Sequence, residues 1–165
     1  SDLTALGQAP VAVISAGPKA VLDLPRTLEA LETLGVLVLA YGCDSLPAFY
    51  YRDSELPLEL RVDSPEVVAS ILNLRFDGLA QGGVLIANPI AKEHALPKDE
   101  IEAAIAEALV EAEAKGLRGK AVTPFLLQHL ADSTQGRSVA ANKALVLSNA
   151  ALATQIALAY GAFER

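Results

Sequence analysis

The 165-residue sequence has few of the residue types on which many protein functions depend. It contains one cysteine, Cys43, two histidines, no methionine and no tryptophan, and aromatic residues make up 5% of the chain. A single cysteine excludes an internal disulfide and any metal site built from several thiolates. His94 and His129 lie far apart in sequence, and neither is surrounded by a cluster with the spacing of metal ligands. We therefore expect no metal site within this chain.

Basic charge is also scarce. The chain has 13 lysines and arginines against 20 acidic residues, which gives a net charge of −7 and a pI near 4.8. A nucleic-acid groove needs a basic face to neutralise phosphates, so we expect no nucleic-acid partner. A small anionic ligand is still compatible with this charge, because backbone amides and a few basic side chains can hold one phosphate.

Long uncharged apolar runs and a leader-like start are absent too. No stretch of about 18 apolar residues lacks a charge, and no basic segment followed by an apolar core opens the sequence. We expect no membrane span and no signal peptide, and the lone cysteine agrees with a cytoplasmic protein. With 52% hydrophobic and 20% charged residues, the composition predicts a single globular domain over residues 1–165.

Short apolar segments rich in β-branched residues alternate with helical patterns. Residues 11–15, 36–40 and 83–88 are apolar at both odd and even positions, which predicts strands buried on both faces. Residues 58–62 alternate between apolar and polar and predict a weaker edge strand. The pattern predicts an α/β fold, a three-layer α/β/α arrangement with a mostly parallel or mixed sheet.

The helical patterns carry recognisable start and stop signals. Residues 18–34 predict two helical pieces, because Pro25 cannot lie inside a helix without loss of a hydrogen bond, and Asp23 is the expected cap of the second piece. Ser64 followed by Pro65 predicts another helix start. Further helices are predicted over residues 98–116, 123–133 and 138–160, the first with a buried stripe of Ile101, Ile105, Leu109 and Ala112 and with Gly116 as its end.

Lys19 is the first basic residue and follows the strand at 11–15 through an Ala-Gly-Pro corner. With Pro18 as the first helical residue, Lys19 would lie in the opening turn, where the helix dipole disfavours a cation and favours a neutral amine. Open α/β sheets also bind ligands at the carboxyl ends of their strands. Such a lysine is a candidate nucleophile for Schiff-base formation with a carbonyl. The more common alternative is a solvated surface lysine.

Two asparagines fall on the apolar stripe of the last predicted helix. The stripe consists of Asn142, Leu145, Asn149, Leu152 and Ile156. This spacing of three and four predicts that both amides enter the core, where they need partners. An amide presents a donor beside an acceptor, which matches an imide edge such as that of uracil. The alternative is a pair of structural amides that tie helix ends or loops together.

The segment 87–95 leaves a predicted strand at the same ligand-binding edge. Asn88 before Pro89 indicates a turn, and Glu93 and His94 have side chains suited to acid–base work. We interpret the segment as a loop that lines a pocket, with Asn88 and Asn149 as candidate pocket residues.

A long connection over residues 40–57 holds Tyr41, Phe49, Tyr50 and Tyr51, four of the eight aromatic residues. Long connections in compact domains tend to be functional, and exposed aromatic side chains favour contacts with partners. We expect either a subunit interface or a cover over an active site. Cys43, within the same segment, is expected to be an inert small apolar residue.

Several long strings resemble one family across the whole chain. They are ISAGPKAVLDLPRTLEALETLGV, LPAFYYR, RVDSPE, GGVLIANPI, EIEAAIAEALVEAEAKGLRGKAVTPFLL and GRSVAANKALVLSNAALATQIA. They resemble pseudouridine-5′-phosphate glycosidases, also called the indigoidine-synthase-A-like family. The resemblance implies reversible cleavage of the C–C glycosidic bond of pseudouridine 5′-phosphate to uracil and ribose 5-phosphate. It also implies α/β/α proteins, commonly homotrimers, that use a divalent metal, usually manganese.

The resemblance assigns roles to four residues of this chain. It implies that Lys19, in the AG-x-K motif, forms the Schiff base with ring-opened ribose, and that the iminium acts as an electron sink. It implies that Asn142 contacts the uracil ring, and that Asp2 ends a Ser-x-Asp substrate-binding motif with Ser1 in its middle. Pro18 departs from the small residue expected there.

The same resemblance covers only the carboxy-terminal part of the family's chains. It implies that a general-acid glutamate, a second lysine and a metal-ligand aspartate come from upstream of this sequence, so we expect little or no turnover from the 165 residues alone. The alternative function is a non-catalytic α/β module that binds or assembles through the tyrosine-rich connection. A Rossmann-type nucleotide domain is a third, weaker alternative, because no GxGxxG or phosphate-loop motif is present.

Overall fold

The computed structural model describes residues 2–79 and 82–163. In chain order these residues form α1 (Asp2–Gln8), β1 (Ala12–Ser15), α2 (Leu24–Thr33), β2 (Leu37–Tyr41), β3 (Arg61–Val62), α3 (Pro65–Asn73), β4 (Val84–Ala87), α4 (Lys98–Ala114), α5 (Val122–Ser133) and α6 (Arg137–Gly161). A π-helical turn, Leu74–Gly78, continues α3, and short 3₁₀ turns lie at Lys92–His94 and Gly119–Ala121.

The four strands form one parallel sheet in the order β1-β4-β2-β3. β4 lies between β1 and β2, and all four of its residues are buried, as expected of an apolar strand covered on both faces. This confirms the predicted α/β fold with a parallel sheet flanked by helices. β3 is the weak edge strand, and it is shorter than predicted because only Arg61 and Val62 pair with β2.

Alternate residues of the strands face two different helical layers. Val84 and Ile86 of β4 pack with α3 and α6, whereas Leu85 packs with α1 and α2. This division follows from the two-residue period of a strand. It also agrees with right-handed crossovers. α2 leads from β1 to β2 in one direction across the sheet, and α3, on the opposite face, leads from β3 back to β4.

A third group of buried side chains covers the edge of the sheet where the strands end. It joins Ala16, the connection after β2, α4, and the amino-terminal part of α6. Tyr50 and Tyr51 are buried within it, while Tyr41 and Phe49 are half-buried. The expectation that these aromatic side chains are exposed is therefore wrong for Tyr50 and Tyr51, because the connection folds back onto its own domain.

The local helix signals are largely confirmed. The Asp23 carboxylate accepts a hydrogen bond from the Arg26 amide at 3.0 Å, with Pro25 in the first turn, and Ser64 caps α3. The first piece predicted within 18–34 is wrong, since residues 18–23 form a turn closed by the Leu22 amide donating to the Lys19 carbonyl.

The buried stripe of α4 differs from the prediction at one position. Leu109 is exposed, and the buried residues are Ile101, Ala104, Ile105, Ala108 and Ala112. Because alanine side chains are small, α4 packs closely on its neighbours through the face that carries Ala104, Ala108 and Ala112. Leu109 lies outside this face. The helix gives way to Gly116, which has a positive φ of 67° and follows the cap residue Lys115 as expected.

α6 is the longest helix and is apolar over most of its length. Its 25 residues include an 18-residue window with a mean hydropathy of 1.4, so by length and composition alone it could cross a membrane, contrary to the expectation from the sequence. One such helix is weak evidence for a membrane span. α6 packs on α3 and β1 through Leu152 and Ile156, while Val146, Leu147 and Leu158 are exposed.

Candidate functional site

The carboxyl ends of β1 and β4 lie side by side and begin the candidate site. Ser15 and Ala87 are register partners, and the Asn88 amide donates to the Ser15 carbonyl at 2.8 Å. The segment that follows β1 carries Lys19 and is called the Lys19 corner. The segment that follows β4 begins with Asn88 and is called the Asn88 loop. Parallel pairing therefore brings together two of the sequence-predicted sites, which are about 70 residues apart in the chain.

The corner that carries Lys19 is held by the connection after β2. Gly17 has a φ of 81°, and a Cβ atom at this position would lie 1.8 Å from the Pro47 carbonyl oxygen. Only glycine fits this approach without a shift of backbone. The Phe49 amide donates to the Ala16 carbonyl at 2.9 Å, which fixes the connection against the corner from its other side.

Lys19 is half-buried and lies over an aromatic ring. Its Nζ is 5.7 Å from the centroid of the Phe49 ring, within the range of a cation–π contact. Lys19 has no ion-pair partner among the residues that the structure describes. Because it lies in a turn instead of a helix, the helix-dipole argument for a neutral amine does not apply.

Asn88 joins the end of β4 to α6. Its side chain is only 8% exposed, and its Nδ2 donates to Ser148 Oγ at 3.2 Å and to Asn149 Oδ1 at 2.9 Å. These bonds satisfy an amide that would otherwise be costly to bury. Asn149 therefore acts as a structural amide that joins a helix to a loop, which is the alternative that the sequence offered for it.

A cavity of about 390 Å³ opens beside the hydrogen bonds that join Asn88 to α6. One wall is the segment after β4, with Ile90, Glu93 and His94, and the other is α6, with Leu145 and Ser148. The predicted loop thus does line a cavity, and Ser148 is shared between the cavity wall and the Asn88 hydrogen bonds. Asn88 consequently fixes the position of the wall.

The remaining predicted substrate residues are placed differently. Asn142 is exposed, and its side chain makes no hydrogen bond within the described part of the chain, so the prediction that it enters the core is wrong. The buried line of α6 runs through Ser138, Ala141 and Leu145, one position away from Asn142. Asp2 is exposed at the start of α1. Ser1 lies outside the described residues.

The connection after β2 carries polar contacts near the same edge. Asp53 accepts from Ser45 Oγ at 2.6 Å and from the Glu55 amide at 2.7 Å, and these bonds hold the pKa of its carboxyl below the ordinary value. Arg52 Nη1 donates to the Ile90 carbonyl. Burial raises the pKa of the Cys43 thiol, which agrees with the expected inert cysteine.

The described residues do not supply a metal centre. Residues 2–79 and 82–163 contain no group of three or more His, Cys, Asp or Glu side chains that could hold an ion. Manganese therefore has no fitting donor set in this part of the chain.

Sequence reasoning missed Ser148 and Arg52 at this edge, and it named Phe49 only as part of a connection expected to form an interface or an active-site cover. Phe49 lies beneath the Lys19 amine, Ser148 pairs with Asn88, and Arg52 supports the loop after β4. Each acts through a contact between segments distant in sequence. The only local signal was the Ser148-Asn149 pair, two polar residues in an otherwise apolar helix.

Comparison with known proteins points to one family. The family model for indigoidine synthase A like proteins matches residues 1–159. Curated pseudouridine-5′-phosphate glycosidases from Paracoccus denitrificans and Myxococcus xanthus are 54% and 51% identical over 159 residues, which is 96% of this chain and 52% of each relative.

Solved structures agree with the sequence matches. The prealnumycin C-glycosynthase AlnA, in complex with ribulose 5-phosphate, is 35% identical with a TM-score of 0.92, over 98% of this chain and 53% of that one. An indigoidine synthase A-like protein from Thermotoga maritima is 33% identical with a TM-score of 0.83, over 94% and 51%. The chain spans about half the length of the relatives it matches. By its family match, its relatives and its fold, the chain belongs to the indigoidine synthase A like family.

Proposed function

We propose that this chain carries the lysine-bearing part of a C-glycosidase site that reversibly cleaves pseudouridine 5′-phosphate to uracil and ribose 5-phosphate. The observation that carries the proposal is the position of Lys19. It follows the carboxyl end of β1, on a corner that Gly17 and Pro47 hold in place, next to the end of β4. The names of the relatives supply the substrate.

The chemistry is simplest in the direction of synthesis. The Lys19 amine condenses with the aldehyde carbon of open-chain ribose 5-phosphate, and water leaves as the iminium forms. The electron pair of the uracil C5–C6 double bond then bonds to the iminium carbon, and the proton on C5 leaves. The 4′-hydroxyl oxygen finally replaces the lysine amine at C1′, which closes the sugar ring and frees Lys19. Cleavage is the reverse: the amine displaces the ring oxygen at C1′, C5 of uracil takes up a proton, and the electrons of the C–C bond return to uracil as the amine nitrogen forms the iminium. Water then hydrolyses the iminium to release ribose 5-phosphate and the amine.

Two features support this chemistry. A carbon leaving group is far poorer than the oxygen leaving groups that a carboxylate pair can expel, so a nitrogen that donates its electron pair to C1′ as the C–C bond breaks is required. AlnA, the structural relative, is named a C-glycosynthase and is seen with ribulose 5-phosphate, a sugar phosphate with a carbonyl group. Lys19 Nζ lies 5.7 Å from the centroid of the Phe49 ring, and we infer that substrate entry displaces the amine from this ring.

The remaining substrate contacts belong to the same proposal. We propose that Asn142 binds the uracil ring and that Asp2, with Ser1, belongs to a substrate-binding motif. Both Asn142 and Asp2 are exposed and free to reach a ligand. The divalent metal would be held by residues outside this chain. The homotrimer and the cytoplasmic location stay predictions.

The experiment is reductive trapping on Lys19. The chain is incubated with ribose 5-phosphate and borohydride, and adducts on its six lysines are quantified by peptide mass spectrometry. We expect the adduct at Lys19 to exceed that at any other lysine by about tenfold. Lys19→Arg should abolish this excess, whereas Lys92→Arg, at an exposed position, should leave it unchanged.

Equal labelling of all lysines would contradict the proposal and favour a non-catalytic module. The structure gives that alternative no specific support, since the Tyr50 and Tyr51 rings proposed to bind a partner are buried.

A further inference from the structure

Phe49 has a backbone conformation that is uncommon for an aromatic residue. Its φ is 67°, and the Tyr50 amide donates across it to the Ala48 carbonyl at 2.8 Å. A bond between residues two apart, with a positive φ at the central residue, indicates the rare and strained form of the γ-turn. Glu55 and Gln135 also have a positive φ, but both are exposed polar residues, whereas Phe49 is half-buried. Glycine adopts a positive φ without steric cost, so a phenylalanine here points to a use for its side chain.

Contacts on both sides hold this turn in place. The Phe49 amide donates to the Ala16 carbonyl at 2.9 Å, and the Ala48 amide donates to the Tyr51 carbonyl at 3.1 Å. Tyr50 is buried, and its ring meets the Phe49 ring edge-on, with the centroids 4.9 Å apart and the planes at 78°. Strained conformations persist where the surrounding structure determines them in this way. The orientation of the Phe49 ring is therefore fixed by hydrogen bonds and by packing.

The Phe49 ring faces the amine of Lys19. Nζ of Lys19 lies 5.7 Å from the ring centroid, within the range of a cation–π contact. Residues 2–79 and 82–163 provide Lys19 with no ion pair, so the ring restrains the end of a long and flexible side chain. Ala16 belongs to the Lys19 corner, and its hydrogen bond to Phe49 therefore fixes the ring relative to the backbone that carries the lysine.

We propose that Phe49 is a positioning residue for the Lys19 amine, an inference that rests on the reaction proposed above. The ring holds the free amine at the carboxyl edge of β1 and β4, and the amine leaves the ring when the sugar carbonyl arrives. An amine that is already held near its partner loses less conformational freedom when it attacks a carbonyl carbon. The bonds made and broken stay the same: Nζ condenses with the aldehyde carbon, and water leaves.

The test measures how fast Lys19 is trapped. The chain is incubated with increasing ribose 5-phosphate and excess cyanoborohydride, and the adduct at Lys19 is followed by peptide mass spectrometry. We expect Phe49→Leu and Phe49→Gly, which lack the ring, to lower the maximal rate about tenfold, since a misplaced reacting group reacts more slowly. The ribose 5-phosphate concentration at half the maximal rate should change by less than about twofold, because Phe49 acts on the amine and not on the sugar. Phe49→Gly suits the positive φ and keeps the experiment decisive where Phe49→Leu disturbs folding.

Two further variants separate the ring from the rest of the side chain. Phe49→Tyr keeps the ring and should react within about twofold of the unaltered chain. Phe125→Leu is the matched control, because it removes another ring that lies near a lysine amine, with its centroid 4.8 Å from Nζ of Lys115. It should leave the trapping rate at Lys19 unchanged. Melting curves confirm that each variant is folded.

Nuclear magnetic resonance reports on the contact without any reaction. The ring current of Phe49 should shift the ε-methylene protons of Lys19 upfield in the unaltered chain and in Phe49→Tyr. The shift should be absent from Phe49→Leu and Phe49→Gly. Its presence in these two variants would contradict the contact on which the positioning role depends.

The outcomes distinguish this inference from the proposed function. Preferential trapping at Lys19, with equal maximal rates in the unaltered chain and the ring-free variants, would overturn the positioning role and leave the proposed function standing. The same loss of rate in Phe49→Tyr or in Phe125→Leu would also overturn it, because the effect would then not depend on this ring. A rise in the half-maximal concentration alone would assign Phe49 to sugar binding instead. No preference for Lys19 in the unaltered chain would overturn both.

Discussion

At the scale of single residues, the corner before Lys19 depends on a glycine that no other residue replaces. Gly17 combines a left-handed backbone conformation with an approach to the Pro47 carbonyl too close for any Cβ atom. Gly35 has a similar φ of 68°, but open space surrounds it. Alanine substitutions at the two glycines therefore separate the free-energy cost of the backbone conformation from that of the steric contact with Pro47.

We expect Gly17→Ala to destabilise the protein much more than Gly35→Ala. The backbone conformation costs about 1–2 kcal/mol at either position. At Gly17 the displaced Pro47 backbone adds about 1–3 kcal/mol. Urea unfolding of both variants measures the difference. Equal losses of stability would show that the connection moves aside freely and does not hold the Lys19 corner.

Tyr51 is a second residue whose environment has a measurable consequence. Its hydroxyl donates to Glu102 Oε1 at 3.1 Å, and burial, followed by this hydrogen bond, raises its pKa from 10.0 to about 12. The folded protein thus keeps the proton more tightly than the unfolded chain does. The stabilisation is complete below pH 10.0 and is lost as the pH rises towards 12.

We expect the melting temperature to fall between pH 10.0 and 12, and to fall less steeply in Tyr51→Phe. At neutral pH the same variant loses about 0.5–1.5 kcal/mol with its hydrogen bond. Differential scanning calorimetry across this range provides the comparison. Parallel curves for the two proteins would mean that Tyr51 titrates with the same pKa in both states.

At the scale of elements, the tie between β4 and α6 organises the cavity. One buried amide, Asn88, bonds to two consecutive residues of a helix about 60 positions later. A strand end and a helix are thereby held at a set distance. Thr154, by contrast, bonds only to the Ala150 carbonyl within α6 and joins no second element.

We expect Asn88→Ala to cost about 1–3 kcal/mol, because Asn149 loses its donor in a partly buried place. Thr154→Ala should change stability by less than about 0.5 kcal/mol, as is usual for an exposed helical site. Thermal unfolding gives both values. The proposed site adds a second readout, since trapping at Lys19 should persist in Thr154→Ala and decrease in Asn88→Ala.

At the scale of the whole molecule, the sheet is asymmetric. β4 has a strand on either side, whereas β1 and β3 lie at the two edges, and a largely apolar groove lies beside β1. Local opening of a structure is easiest where few groups are paired and buried. The two sides of the sheet should therefore differ in their dynamics.

We expect the amides of Leu85 and Ile86 to exchange with solvent slowest, and those of Ala12 and Ile14 at least about tenfold faster in the isolated chain. Hydrogen exchange followed by nuclear magnetic resonance resolves these four amides. Equal protection of both pairs would show that the open side of β1 is already covered, for instance by a second copy of the chain.

The sequence by itself determined the α/β layout with a mostly parallel or mixed sheet, because apolar runs at both odd and even positions specify strands covered on two faces. It also determined the caps at Asp23 and Ser64 and the end of α4 near Gly116, which are local interactions of a few residues. Lys19 was identifiable as a candidate from its place after an apolar strand.

Only the tertiary structure decided which side chains are buried and which groups meet. It exposes Asn142, buries Tyr50 and Tyr51, and replaces a predicted helical turn before Asp23 with an irregular corner. It also joins Asn88 to Asn149. These outcomes depend on how a helix rotates against its neighbours and how a long connection folds back. Both are set by packing between segments far apart in the chain, which no local pattern encodes.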